Sequence, residues 1–304
     1  MPHAARLACW IAVLASVAPG FATPASEEPI TPLPEPPRAS PLKIALGERL
    51  FTEPRLSANN ARSCATCHNL ARNGASQAQF DTTPRGTPLK FNTSTVFNSA
   101  LSFRLGWEGK YRTFEAKVDA VLADPDIMNC ASGSAAAKLA ADPTLRHEFE
   151  VVYGRGPDAA NLVDALAVFE RSLITTGSRF DRWLRGDANA LTAEELDGYR
   201  LFKSLGCIAC HQGVNVGGNL YQRHGIFHPL GRPDPPILRV PSLRNVATTP
   251  PYFHDGSAAT LDIAVRQMAF AQLNSTLTDA QVQSVVAFLR TLTGLHDGKP
   301  VGGN

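Results

Sequence analysis

Beyond its N-terminus this 304-residue chain lacks any long hydrophobic run: the longest, Leu7 to Ala18, is 12 residues, short of the roughly 18 needed to cross a bilayer. A membrane span is therefore not expected. Charge of one sign is lacking too, with 29 basic against 27 acidic residues and a net +2. Interspersed charge of this kind gives no footprint for nucleic acid or an anionic membrane. Strand-like alternation is scarce, which points away from a sheet-based fold. Cysteine is sparse, at 6. Four of these form two Cys-x-x-Cys-His units, Cys9 lies in the N-terminal run, and Cys130 is left alone. No disulfide framework follows from that arrangement. Methionine is limited to Met1, Met128 and Met268.

The N-terminus reads as an export signal. Arg6 precedes the apolar run, and "PGFATPA" supplies small residues suited to cleavage after Ala22 or Ala25. Residues 1–22 are assigned to this signal, which would carry Cys9 away and deliver the protein to the periplasm. Residues 23–42 are proline-rich and read as an extended linker.

The two units are Cys64-Ala65-Thr66-Cys67-His68 and Cys207-Ile208-Ala209-Cys210-His211. Each follows a similar stretch, "GERLF" (Gly47 to Phe51) and "GYRLF" (Gly198 to Phe202), so a duplicated module is expected. Phe51 stands 13 residues before Cys64 and Phe202 only 5 before Cys207, an eight-residue insertion in the first copy. Helical periodicity dominates elsewhere. Leu162, Leu166, Phe169 and Leu173 share one stripe, while Thr278 with Gln281 and Thr192 with Glu195 form capping boxes. The long loops at 69–98 and 212–251 exceed what a compact helical domain carries without something to wrap. A zinc site needs a second ligand pair nearby, yet the two units are 143 residues apart. A thioredoxin-like dithiol needs a strand and helix alternation that is missing. Two thiols with a histidine directly behind them are what covalent c-type haem requires, so two haems c are expected. Met268 is the candidate sixth ligand of the second iron, since a thioether raises the potential and suits electron uptake.

Two further stretches, "VPSLRNVATTPPYFHDGSAATLDIAVRQM" and "VVAFLRTLTG", resemble the C-terminal half of the bacterial dihaem cytochrome c peroxidase family, which includes MauG-type enzymes. The similarity runs from about Leu42 to Gly294. It implies a mainly α fold of two cytochrome c-like haem domains with long loops, here 43–190 (peroxidatic-type haem) and 191–304 (electron-uptake haem). Family members ligate the high-potential haem with a methionine 14 residues beyond the histidine of "YFHDG", which here is Met268 after His254. MauG-type proteins place a tyrosine there. The resemblance also implies a calcium ion held by Asn92 and backbone carbonyls at Thr249 and Pro251, a tryptophan between the haems, Trp107, and a homodimer.

Two departures bear on the first haem. No histidine occurs in residues 69–98, so the removable distal histidine of many members is absent and an open iron is expected. The family's distal glutamine and glutamate positions hold Lys117 and Ile127. Proton transfer would then fall to Lys117, or to Asp126 or Glu115, or peroxide is not the substrate. Lys117, Met128 or Cys130 closing the iron would instead leave a pure electron carrier. His147, His224 and His228 read as ordinary loop or helix residues. The expected activity is reduction of hydrogen peroxide to water with electrons from a small periplasmic cytochrome c or copper protein. The alternatives are MauG-like oxidation of a partner protein and electron transfer without catalysis.

Overall fold

The computed structural model describes residues 28–303; the expected signal and its cleavage sites lie outside them. Nine α-helices carry the fold among the described residues: α1 (Pro41–Phe51), α2 (Phe114–Ala123), α3 (Ser132–Ala140), α4 (Pro143–Tyr153), α5 (Ala159–Ser172), α6 (Arg179–Leu184), α7 (Ala193–Ser204), α8 (Leu261–Leu273) and α9 (Asp279–Arg290). Two antiparallel two-stranded ribbons are minor additions, β1 (Tyr221–Arg223) with β2 (Ile237–Arg239) and β3 (Leu295–His296) with β4 (Lys299–Pro300). No described helix is long and apolar enough to cross a membrane. The mainly α, two-module architecture agrees with the expectation.

The repeat has a packing explanation. In the first module α1 crosses α5 at Gly47, where a Cβ would collide with the Ala165 carbonyl and Phe169. In the second, α7 crosses α9 at Gly198, where a Cβ would meet the Ser284 carbonyl and Phe288. The phenylalanine ending each repeat then packs across the crossing, Phe51 edge-on to Phe169 at 5.4 Å and Phe202 tilted against Phe288 at 5.1 Å. Leu162, Leu166 and Phe169 face inward as their spacing required, and Val282, Val285 and Leu289 do the same in the second module. The boxes at Thr192 and Thr278 cap α7 and α9.

The N-terminal segment differs from a free tether. The segment read as a linker is extended, but its described residues are docked. Ile30 and Leu33 are at most 1% exposed within the second module's half of the molecule. The Thr31 carbonyl accepts from Arg244, and the Leu33 amide donates to Asp181. Proline forbids helix here, but two well-spaced apolar residues supply enough buried area to fasten the strand. Phe180 and Leu184 of α6, which precede the second module in sequence, also pack in its core. After α9 the tail returns, placing Val301 in the first core and donating Gly302 N–H to the Arg72 carbonyl.

Candidate functional site

Both Cys-x-x-Cys-His units fold alike. Each begins as a single 3-10 turn, Cys64–Thr66 and Cys207–Ala209. The histidine amide donates to the first cysteine's carbonyl, His68 to Cys64 at 2.9 Å and His211 to Cys207 at 3.0 Å. Each imidazole then offers Nδ1 to a loop carbonyl, His68 to Gly74 at 3.0 Å and His211 to Val216 at 3.3 Å. A carbonyl can only accept, so Nδ1 carries the proton and Nε2 keeps its lone pair for a metal. Gly74 adopts φ +65°, and a Cβ there would press on Phe97 and Thr95. Phe51 and Phe202 flank the two imidazoles at the same 6.5 Å.

Electrostatics at the units fit this geometry. Burial pushes the Cys64 thiol up to about 12, and the Cys67 and Cys207 thiols up to about 11. Burial thus favours the protonated form of these three thiols. Burial lowers His211 to about 4 and also lowers His68, so both imidazoles are neutral donors.

Around the second unit the fold encloses a cavity of about 280 Å³. Its wall includes Cys207, Cys210, His211 and Met268, the last from α8. Asn92, Trp107, Thr249 and Pro251 line the same cavity, so eight of the residues singled out from sequence converge on it. Trp107 donates Nε1–H to the Asn92 carbonyl at 2.8 Å, and the Asn92 amide donates to the His254 carbonyl at 2.8 Å. The Asn92 side-chain N–H groups are taken by the Ala78 and Gln79 carbonyls, which leaves its Oδ1 as an oxygen donor.

Two cavity-wall residues are not evident from sequence. Arg239 is 8% exposed and donates only to neutral oxygens, those of Gly106, Ser102 and Val240. His254 is 4% exposed, and its Nε2 has no hydrogen-bond partner. A buried cation without a carboxylate and an orphaned imidazole nitrogen in a mainly apolar cavity suit an apolar ring bearing anionic arms, which describes haem. In the sequence His254 serves only as the marker from which Met268 is counted. His224, read as ordinary, packs on His254 with ring centroids 4.7 Å apart and lines the cavity.

At the first unit Lys117 is half-buried on α2, its Nζ 5.0 Å over the Tyr111 ring, and its charge reaches His68. Burial lowers its pKa, opposed by Glu170. Glu170 also escapes a reading of the sequence, although it stands four residues after Leu166 and three before Leu173 on the inward stripe. It follows Phe169 as Leu289 follows Phe288, and Leu289 lines the second cavity. Burial raises its carboxyl to about 7, against the pull of Lys117 and Arg171. The other candidates are engaged elsewhere, Glu115 with Arg171 and the exposed Asp126 with Arg85. Met128 and Cys130 sit in the first core at 3% and 5% exposure.

The sequence profile described as di-haem cytochrome c peroxidase matches residues 41–189, and that of cytochrome c matches 196–293. The cytochrome c551 peroxidase of Nitrosomonas europaea is 37% identical over 285 residues, covering 89% of this chain and 85% of that protein. The chain belongs to the bacterial dihaem cytochrome c peroxidase/MauG family. The methylamine utilization protein MauG of Methylorubrum extorquens is 31% identical over 284 residues, 84% of this chain and 80% of its own. Among solved structures, a MauG-like protein associated with microbial copper homeostasis superposes with a TM-score of 0.73 at 25% identity, covering 93% of this chain and 96% of that one. Both branches of the family are thus represented among its relatives.

Proposed function

We propose that this family member is a periplasmic peroxidase-type dihaem protein that reduces hydrogen peroxide to water with electrons from a small redox protein. One asymmetry between matching modules carries the reading. His211 shares its cavity with Met268, a thioether suited to closing an electron-transfer iron, whereas the charged group that reaches His68 from α2 is the Lys117 amine. Cys64 and Cys67 would attach the first haem and Cys207 and Cys210 the second. When bound, the haems supply electron storage and the cleavage of the O–O bond.

The chain's own residues supply the rest. The Gly74 and Val216 carbonyls hold each imidazole in one tautomer. Trp107 stands in the wall between the first module's loop and the second cavity, where an aromatic ring favours electron passage. Each peroxide takes up two electrons and two protons to leave as two waters. Lys117, its pKa lowered, and Glu170, near neutrality, are suited to hold and move protons on that path. Calcium at Asn92, Thr249 and Pro251 belongs to the same proposal and draws on neutral oxygen donors.

The test uses the ferric protein. Cyanide should bind one high-spin haem while the second stays low-spin, and Lys117→Ala should lower peroxide turnover by about 10²-fold or more. Two low-spin haems in every redox state would leave only an electron carrier. Loss of the family's distal glutamine and glutamate favours a second reading, oxidation of a partner protein. Turnover that depends on reduced cytochrome c decides for the first.

A further inference from the structure

The aromatic core of the second module is continuous from the surface to His211. Half-buried Trp183 of α6 lies 5.8 Å from Tyr199 of α7. Tyr199 lies 5.0 Å from Phe288, Phe288 5.1 Å from Phe202, and Phe202 6.5 Å from the His211 ring. Aromatic clusters fill cores everywhere, and a buried tyrosine ordinarily finds some acceptor. The first module has a similar cluster, Tyr153 with Asp164 and Lys43, but its ring meets Phe149 and goes no further toward His68. What sets Tyr199 apart is a carboxylate acceptor combined with ring contacts that continue to His211. The Tyr199 hydroxyl donates at 2.6 Å to Oε2 of Glu28, a carboxylate brought in by the docked N-terminal segment. A backbone carbonyl could not keep the phenol's proton, whereas a carboxylate can. Lys203 closes the cluster, its Nζ 3.0 Å from Glu28 and 4.4 Å over the Tyr199 ring.

We propose that Tyr199 is a redox-active tyrosine, with Glu28 as its proton acceptor and Trp183 as its link to the surface, passing single electrons between the exterior and the pocket behind His211. The inference rests on the peroxidase reading for its oxidant, the oxidising equivalent left on the dihaem pair by peroxide cleavage. In the step, Tyr199–OH and Glu28 carboxylate become the Tyr199 phenoxyl radical and Glu28 carboxylic acid. One electron leaves toward His211, with Phe288 and Phe202 as bridging medium only. An electron from Trp183 or an external one-electron donor then restores the phenol, and Glu28 returns the proton.

Two features agree with this step. Burial, and then the bond to Glu28, raise the phenol's pKa, so a free phenolate does not form and the electron must leave together with the proton. Protonating Glu28 leaves the existing Lys203 charge uncompensated, and its side chain is 34% exposed beside Glu28 at 27%, where water screens it.

Pulse radiolysis of the haem-loaded protein tests the relay independently of peroxide. Azide radicals oxidise Trp183, and its radical should decay as a tyrosyl radical forms, at a rate independent of protein concentration. Tyr199→Phe, which keeps the core-filling ring, should abolish that phase. Glu28→Gln keeps a hydrogen-bond acceptor but cannot take the proton; it should slow the phase by about 10²-fold or more and remove its solvent isotope effect. Transfer unchanged in Tyr199→Phe, or as fast in Glu28→Gln, overturns the proposal. Freeze-quench EPR after peroxide should show the same tyrosyl radical. Intact transfer under radiolysis with no tyrosyl radical after peroxide, in protein that turns over peroxide with reduced cytochrome c, overturns the link to His211, whereas absence of that turnover removes the peroxidase reading instead.

Discussion

Glu170 shows most directly how a single residue takes its chemistry from its surroundings. Its folded carboxyl is raised to about 7, burial being the largest cause, while an unfolded glutamate titrates near 4.3. Below about pH 4.3 both states hold the proton and burial carries no ionisation penalty. As the pH rises toward 7 the unfolded carboxyl ionises while the folded one resists, so stability is lost through that window and stays lost above it. Glu170→Gln should therefore raise stability at pH 8 by on the order of 1–3 kcal/mol while changing it little at pH 4. Denaturant midpoints at the two pH values measure this, and an equal effect at both would show that the carboxyl is hydrated. The residue is hidden in sequence because a glutamate on an inward stripe looks like a lapse in periodicity until the neighbouring module shows what its position faces. His254 and Arg239 are hidden for a related reason, since an unpartnered imidazole nitrogen and a buried guanidinium with no carboxylate beside it are properties of three-dimensional surroundings. The Cys-x-x-Cys-His units are legible because covalent attachment and ligation are both imposed on five consecutive residues.

Among the elements, the paired crossings of α1 with α5 and α7 with α9 offer a test in which two effects have opposite sign. Glycine inside a helix is about 1 kcal/mol less favourable than alanine, so propensity alone predicts that Gly198→Ala stabilises. The added methyl, however, would meet the Ser284 carbonyl, a backbone atom that cannot swing aside. Overpacking of this kind costs typically ~1–3 kcal/mol, and here it must push one helix away from the other. Gly198→Ala should lower stability by about that amount, and Gly47→Ala should do the same in the first module, as read by denaturant unfolding. A stabilised variant would mean that the helices are not in contact there. Amphipathic stripes and capping boxes make these helices legible in advance, and the shared glycine of "GERLF" and "GYRLF" marks the crossing. The docking of Ile30 and Leu33 is not legible, because their proline-rich surroundings are equally compatible with a free tether.

At the scale of the whole molecule, one buried ion pair joins the N-terminal segment, α6 and the loop that supports His211. Arg244 and Asp181 are both fully buried and meet at 2.7 Å. The same guanidinium donates to the Thr31 carbonyl at 3.0 Å and through Nε and Nη2 to the Val214 carbonyl, two residues before the Val216 carbonyl that orients His211. Asp181 also receives the Leu33 amide through Oδ1, while its Oδ2 has no partner. A buried pair contributes little net stability against a well-packed apolar replacement, but removing one member leaves an uncompensated charge and costs about 3–5 kcal/mol. Arg244→Ala should therefore destabilise the second module by about that much and loosen the His211 loop, while Arg244→Met with Asp181→Leu should recover most of the loss. The loops on the two histidines are separate, so the ligand-field spectrum of the His211 haem should change in Arg244→Ala and that of the His68 haem should not. Equal perturbation of both haems would mean that the pair braces the whole fold, and perturbation of neither would mean that the Val214 contact does not reach His211. Restoring the stability through the double substitution while the His211 haem remains altered would separate the two duties of Arg244, since an apolar side chain can fill the site but cannot hold the Val214 carbonyl.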